Sequence, residues 1–254
     1  MSTSSTLAPM VEKLGSRSRL NLAEQQALSA LPHHVVEFGR DRYFSREGDR
    51  ATHCSVLLSG FAMCHKITAS GARQVISIHL TGDLLDVHDG TAETTTSNCQ
   101  SLSSAAVALI PRTALVALAR DMPAIAIALW ADMGANASIL AEWLLNLGRR
   151  DARARVAHLI CEMQWRKDAV AHRKSPCATW PMTQEQLADA TGLTAVHVNR
   201  TLQSLRREGL LAAEPRKLMI LDWPAMCDAG DFTPEYLQFG NRGQSGGERT
   251  GAFA

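Results

Sequence analysis

The chain of 254 residues has no uninterrupted apolar run of about 18 residues, the length that a membrane-crossing helix needs. Its opening MSTSSTLAPM lacks the basic-then-apolar order of a secretory leader. Both absences point to a cytoplasmic protein with no membrane partner. It also has no Cys-x-x-Cys pair. Cys54, Cys64, Cys99, Cys161, Cys177 and Cys227 are dispersed, which argues for reduced structural thiols and against a zinc knuckle or a disulfide framework. Nor is there an overall charge excess, since 26 Lys and Arg face 25 Asp and Glu for a net +1. That average hides an asymmetry. From Arg149 to Asp222 there are 13 Lys and Arg against 8 Asp and Glu, a net +5, and the remainder holds 13 against 17, a net −4. A segment with such a basic balance suits phosphate binding. At 46% hydrophobic the chain has enough apolar residues for two ordinary domains.

What the basic segment does contain is Met182–Leu211, MTQEQLADATGLTAVHVNRTLQSLRREGLL, which reads as two short helices joined by a tight turn. Thr183 caps the first helix, Gln184 to Ala190, and Gln186 stands where a capping box needs it. Gly192 supplies the left-handed residue that ends a helix, and Thr194 caps the next. In that second helix Val198, Leu202 and Leu205 recur at helical spacing and turn inward, leaving Ala195, Val196, His197, Asn199, Arg200, Gln203, Arg206 and Arg207 outside. A helix-turn-helix presents the N-terminal part of such a face to base edges in the DNA major groove. Arg200 suits a bidentate contact with guanine, worth about 1–3 kcal/mol of discrimination. Gln203, Arg206 and Thr183 suit phosphates. A strand, a turn at Glu214-Pro215-Arg216-Lys217 and a second strand from Leu218 to Leu221 follow as a wing, which would turn Arg216 and Lys217 to the DNA backbone.

Residues 1–15 read as a poorly ordered lead-in, and Asn21 with Glu24 opens a short helix that ends near Leu31-Pro32. Six short apolar runs follow: Val35–Phe38, Asp41–Phe44, Cys54–Leu58, Phe61–Ile67, Val75–Leu80 and Ser101–Leu109. Turn signals at Arg46-Glu47-Gly48-Asp49, Ser59-Gly60, Ala69-Ser70-Gly71 and Thr81-Gly82-Asp83 separate them, which predicts an antiparallel β-roll or jelly roll. From Ala124 to Leu147 the period becomes that of a long helix. Leu129, Met133, Asn136, Leu140, Trp143 and Leu147 form a heptad seam that predicts a homodimer, with Asn136 fixing register and Gly134, Ala137 and Ala141 allowing close approach. Trp130 and Trp143 read as interface packing. Leu147-Gly148 is a hinge into a helix from Asp151 to Gln164. The expected organisation is α+β: a sensor roll over 1–122, a dimerisation helix over 123–148, a winged helix-turn-helix over 149–240 and a disordered tail over 241–254.

Other readings stay open at this point. The polar helix face is also compatible with mere solvation, or with a winged helix that binds an acidic protein. His65, His79 and His88, with Asp86 and Cys64, raise a metal or haem site or a cupin-like enzyme, but none shows an established ligand spacing and the His-x-His pattern is missing. Cys64 and Cys99 as redox sensors lack an obvious neighbour that would activate a thiol.

Three stretches in the right order, LLSGFAMCHKITASGARQVISIHLTGDLLD, LGRRDARARVAHLI and LTAVHVNRTLQSLRREGLL, resemble the Crp/Fnr family of bacterial transcription regulators over roughly Leu20 to Trp223. The resemblance implies a dimer with a cyclic-nucleotide-binding-like roll and a C-terminal winged helix. It implies a palindromic double-stranded DNA operator, with Ala195, Val196, Asn199 and Arg200 at base-reading positions, RNA polymerase as partner and no enzymatic activity. Cyclic AMP is not implied, because Asp86-Val87 stands where the family's nucleotide binders carry Gly-Glu and no arginine lies between Arg73 and Arg112. An iron–sulfur cluster is not implied either, since no cysteine precedes Cys54. No cofactor is expected, and a signal at the roll would act by pivoting the DNA-binding domains.

Overall fold

The computed structural model describes residues 5–86, 92–171, 177–214 and 217–237. Two helices, α1 (Ala8–Arg17) and α2 (Leu22–Ser29), lead into strands β1 (His34–Phe38), β2 (Tyr43–Ser45), β3 (His53–Ser59), β4 (Ala62–Ile67), β5 (Arg73–His79), β6 (Asn98–Ser101) and β7 (Ala105–Pro111). Then come α3 (Arg112–Asp121), α4 (Pro123–Arg149), α5 (Ala152–Ala171), β8 (Cys177–Thr179), α6 (Gln184–Thr191), α7 (Ala195–Arg207), β9 (Leu211–Glu214), β10 (Lys217–Ile220), α8 (Trp223–Gly230) and a 3-10 turn, Glu235–Leu237. The class is α+β.

The seven first strands make two antiparallel sheets in the orders β1-β7-β3 and β2-β6-β4-β5, which together form the roll. Gly60 turns β3 into β4 at φ +87°, and a Cβ there would meet the Ser104 carbonyl oxygen at 2.3 Å, so only glycine fits. The run expected from Ser101 to Leu109 is two strands, β6 and β7, and the run from Asp41 begins only at Tyr43 because Asp41 adopts φ +59°. Asn21 and Glu24 form the capping box that their spacing suggests, each accepting the other's backbone N–H.

The start of the chain corrects the sequence reading. Residues 8–15 are not a loose lead-in but most of α1, with Pro9 in its first turn and Leu7, Met10 and Leu14 buried. These pack with Leu28, Val56, Ile110, Ile125 and Ala128, uniting α1 and α2 with the roll and the first half of α4. A second cluster runs from Met63, Ile78 and Leu102 in the roll through Ile139 and Trp143 of α4 into Leu187, Val198, Leu202 and Leu205 of the helix-turn-helix. The roll and the helix-turn-helix therefore share one core.

α4 corrects two further expectations. An 18-residue window of it is long and apolar enough to cross a membrane by length and composition, although the sequence shows no uninterrupted apolar run. Two apolar faces account for this. Ile125, Ala128, Asp132, Ala135, Ile139, Trp143 and Asn146 are buried within the chain. Ile127, Trp130, Gly134, Ala137, Ala141 and Leu144, again at 3-4-3-4-3 spacing, are exposed, with Trp130 at 75% and Leu144 at 73%. The seam read from Leu129, Met133, Asn136, Leu140, Trp143 and Leu147 falls between these faces. Trp143 is buried and donates its Nε1–H to Glu162 at 2.9 Å. Leu147 lies half-buried against Gly192. Met133 and Leu140 stay exposed, and Leu129 and Asn136 are half-buried. The helix runs on through Gly148, so the break falls at Arg150, which is extended at ψ 148°. α5 continues to Ala171, beyond the Gln164 expected.

Inside the roll, Cys64 and Cys99 are bonded as a disulfide, contrary to the expectation of reduced thiols. They are register partners on β4 and β6 with Cα atoms 4.2 Å apart, a proximity that their sequence separation of 35 conceals.

A buried ionic network crosses the molecule at Asp83. Its Oδ1 pairs with Lys13 Nζ at 2.9 Å and its Oδ2 with Arg166 Nη2 at 3.1 Å, while the Leu80 N–H donates to Oδ2 at 3.0 Å. Lys13 also reaches Asp132 on α4 at 3.1 Å, and Arg166 reaches Glu162 at 3.2 Å. Burial pushes the Asp83 carboxyl up, but Lys13, the His79 hydrogen bond and Arg166 together hold it well below its ordinary value of 3.8.

Two outcomes follow for stability. Leu14→Ala should lower unfolding free energy by about 2–5 kcal/mol in urea titration, whereas a loose lead-in would leave the transition unmoved. Because the folded carboxyl titrates below the unfolded one, the stability Asp83 contributes is present above about pH 4 and lost as pH falls further. Asp83→Asn should cost about 3–5 kcal/mol at pH 7 and flatten the acid limb of the stability profile.

Candidate nucleic-acid interface

The helix-turn-helix forms where its caps place it. Thr183 Oγ1 accepts the Gln186 N–H at 3.1 Å, and Gln186 Oε1 accepts the Thr183 N–H at 2.9 Å, closing the capping box of α6. Gly192 ends α6 at φ +64°. Thr194 Oγ1 then accepts the His197 N–H at 3.2 Å and starts α7. Val198, Thr201, Leu202 and Leu205 fill the inner face of α7.

The outer face carries the residues singled out in the sequence. Thr194, Val196, His197, Asn199, Arg200, Gln203 and Arg207 are exposed, and Ala195 is half-buried. Asn199 Nδ2 donates to Gln184 Oε1 at 3.1 Å, tying the two helices across their outer surface. His197, Arg200 and Arg207 line an open groove of about 650 Å³ with Arg153 from the start of α5. Arg153 was not picked out by sequence reasoning, since nothing local marks it. It pairs with Glu208 just beyond α7, and that hydrogen bond raises the Arg153 guanidinium and lowers the Glu208 carboxyl.

Arg206 turns away from this groove. With Thr183, Lys217 and Arg40 of the roll it lines a separate cavity of about 260 Å³. Thr183, Arg206 and Lys217, all assigned to phosphates from the sequence, thus surround one space, whereas Gln203 lies apart from it. The wing forms from β9 and β10, with β8 added on the far side in the order β8-β10-β9, a strand the sequence did not suggest. Lys217 opens β10 and is exposed; Arg216 lies outside the described residues.

The roll docks on α6 and on the segment that precedes it. Arg73 Nε donates to Asp189 Oδ2 at 2.7 Å, Arg40 Nη2 to the Pro181 carbonyl at 2.6 Å, and Gln186 Nε2 to Asp41 Oδ1 at 3.2 Å. Among the described residues these three bonds leave His197, Asn199, Arg200 and Gln203 on the outer face of α7 exposed.

The other candidate groups fall elsewhere. His79 Nε2 lies 3.6 Å from Cys64 Sγ, whereas His65 packs beside the Tyr43 ring and His88 lies outside the described residues. Asp86 is buried, and both its carboxylate oxygens accept the Ser55 N–H at 3.0 Å. The tail expected over 241–254 lies outside the described residues.

Residues 154–229 match the Crp-like helix-turn-helix domain. The chain is 28% identical to the nitrogen fixation regulation protein FixK of Azorhizobium caulinodans over 202 residues, covering 79% of this chain and 80% of that protein. It is 28% identical to the transcriptional activatory protein AadR of Rhodopseudomonas palustris over 221 residues, 86% of this chain and 90% of the relative. Its fold is shared with FixK2 from Bradyrhizobium japonicum at a TM-score of 0.72 and 23% identity, covering 78% of this chain and 98% of that one. An exposed second helix capped by Thr194 beside a wing, on a roll of this topology, accords with those likenesses: the chain carries a Crp-like helix-turn-helix domain and is a DNA-binding transcriptional regulator similar to those of the Crp/Fnr family.

Proposed function

We propose that the protein acts as a cytoplasmic homodimer on an inverted-repeat operator and exerts its effect through RNA polymerase. The observation that carries the DNA reading is the outer face of α7, where His197, Asn199, Arg200 and Gln203 stand exposed on a helix whose inner face is fixed in the core. Arg200 reads a base edge, with Ala195, Val196 and Asn199 at neighbouring positions. Thr183, Arg206, Lys217 and Arg216 contact phosphates and set register.

Dimerisation rests on the unoccupied face of α4. Ile127, Trp130 and Leu144 supply the apolar contacts, and Gly134, Ala137 and Ala141 let the two backbones approach. This replaces the seam read from the sequence by one rotated toward solvent. Two helices joined along it would hold two α7 helices about 34 Å apart, one DNA turn.

The residues at the family's nucleotide site do not fit cyclic AMP. Asp86 places a buried carboxylate where the resemblance expects Gly-Glu, and a carboxylate repels a cyclic phosphate that has no arginine to pair with. No iron–sulfur cluster is proposed, since no cysteine precedes Cys54.

Selection of bound sequences from a random duplex pool should return an inverted repeat. Arg200→Ala should relax preference at one position per half-site at a cost of about 1–3 kcal/mol, while Lys217→Ala should weaken all sequences alike and reduce the salt slope by about one. Equal losses on every sequence for both variants would remove Arg200 as a reader. Trp130→Glu, at an exposed site, should give a folded monomer in sedimentation; a persistent dimer would disprove the solvent-facing seam.

A further inference from the structure

The disulfide in the roll does not stand alone. Cys64 and Cys99 are both buried, and the Leu85 carbonyl lies 3.6 and 3.9 Å from their sulfurs, which restricts reactants to small molecules. Cys54, Cys161 and Cys227 carry no disulfide. A regulator that works on DNA sits among cellular thiol reductants, where lasting disulfides are rare and those that form are commonly transient and redox-sensing.

His79 lies between this pair and the rest of the molecule. Its Nε2 is 3.6 Å from Cys64 Sγ and 2.8 Å from Ser77 Oγ, and its Nδ1 is 3.6 Å from Asp83 Oδ2. We assign the imidazole proton to Nδ1, facing the carboxylate, which leaves the Nε2 lone pair toward the sulfur, in the manner of an acid–base–thiol triad. Burial pushes the His79 pKa below its ordinary value, so the ring is neutral and able to take a proton. Asp83 Oδ2 is shared with Arg166 Nη2 at 3.1 Å, and the same Nη2 donates to the Ile78 carbonyl at 2.8 Å. Arg166 belongs to α5, the helix that packs directly under α6 and α7.

We propose that Cys64 and Cys99 are a reversible dithiol–disulfide site whose oxidant is a hydroperoxide, and that its state passes through His79 and Asp83 to Arg166 and the DNA-binding unit. In the reduced chain, Cys64 gives its proton to His79 Nε2, and the thiolate attacks one peroxide oxygen. The S–O bond forms as the O–O bond breaks, and the departing alkoxide or hydroxide takes the proton back from His79. The Cys99 sulfur then attacks Cys64 Sγ. The S–S bond forms, the S–O bond breaks, and hydroxide leaves with the Cys99 proton as water. Two thiols lose two electrons, and one hydroperoxide becomes an alcohol, or water, plus water. Two small thiols reverse the state by exchange, becoming a disulfide themselves. In the reduced state a Cys64 thiolate holds the transferred proton on Nε2, and the cationic ring draws its Nδ1–H harder onto Asp83 Oδ2 at the expense of Arg166, which loosens α5 from the roll. In the oxidised state that thiolate is gone, the neutral ring makes only the longer 3.6 Å contact, and Arg166 holds the oxygen at 3.1 Å.

The effect on operator affinity rests on the function proposed above, but the chemistry does not. The full-length protein is therefore tested without DNA. It is reduced in its native state with dithiothreitol, freed of reductant, pulsed with hydrogen peroxide, alkylated and mapped by mass spectrometry. The Cys64–Cys99 link should disappear in dithiothreitol and return with one equivalent of peroxide. In Cys99→Ser, dimedone should trap Cys64 as a sulfenic acid about tenfold or more faster than Cys54, and His79→Asn should slow reoxidation about tenfold or more. Amide exchange around Arg166 should be faster in the reduced protein. A link that survives dithiothreitol in the folded chain, or a Cys64 no faster than Cys54, overturns the redox site. Exchange at α5 that is blind to redox state overturns the relay. Should His79→Asn fail to fold, the Cys99→Ser rates decide the chemistry alone.

Discussion

The pairing of Arg166 with Asp83, closed off from water, is the constraint on which the placement of the DNA-binding unit depends. Apolar burial holds the roll, α4, α5 and the helix-turn-helix in one cluster, and it supplies most of the cohesion. Burial is not directional, however, and a shared apolar core tolerates sliding far better than it tolerates an unpaired charge. Arg166 bridges Asp83 of the roll and Glu162 of its own helix, and Glu162 in turn accepts from Trp143 of α4 and from Tyr236 near the end of the described chain, each at 2.9 Å. Removing either partner strands the other in a low-dielectric interior, a loss of about 3–5 kcal/mol. Orientation is thus set by charge and cohesion by apolar area.

Local features of the fold were legible in the sequence because the chemistry that fixes them is local. Asn21 with Glu24, and Thr183 with Gln186, cap their helices across three residues, and Gly192 ends a helix by its own conformation. The inward and outward faces of α7 follow from helical spacing alone. What was not legible depends on distant partners. α1 is a helix because Met10 and Leu14 find apolar partners about a hundred residues away on α4 and β7. Cys64 and Cys99 meet because β4 and β6 pair, and no spacing rule announces that.

The heptad read from the sequence straddles two faces of α4 for a different reason. α4 is apolar on two sides, so its residues satisfy more than one heptad phase, and a periodicity count cannot say which phase its own subunit occupies. The buried set 125, 128, 132, 135, 139 and the exposed set 127, 130, 134, 137, 141 are separated by about 160° at 100° per residue, and the sequence reading fell in the sector between them. Asp132 decides the matter physically. A carboxylate on an otherwise apolar helix must face its cations, here Lys13 and Arg17 of α1, and that fixes which side turns inward.

The joint between α4 and the DNA-binding unit is less free than its sequence suggests. Arg150, the extended residue at the break, pairs with Glu142 of α4 at 2.7 Å and with Asp231 after α8 at 2.9 Å. Asp231 is largely exposed, so its share of this clamp is worth at most about 1 kcal/mol. The Arg166–Asp83 pair is buried on both sides and far more costly to part. A pivot of the winged helix about Arg150 would therefore be resisted mainly at Asp83, some distance from the hinge itself. Any signal that changes what Asp83 holds acts on the stronger of the two restraints, whereas one acting at the hinge would leave that restraint in place.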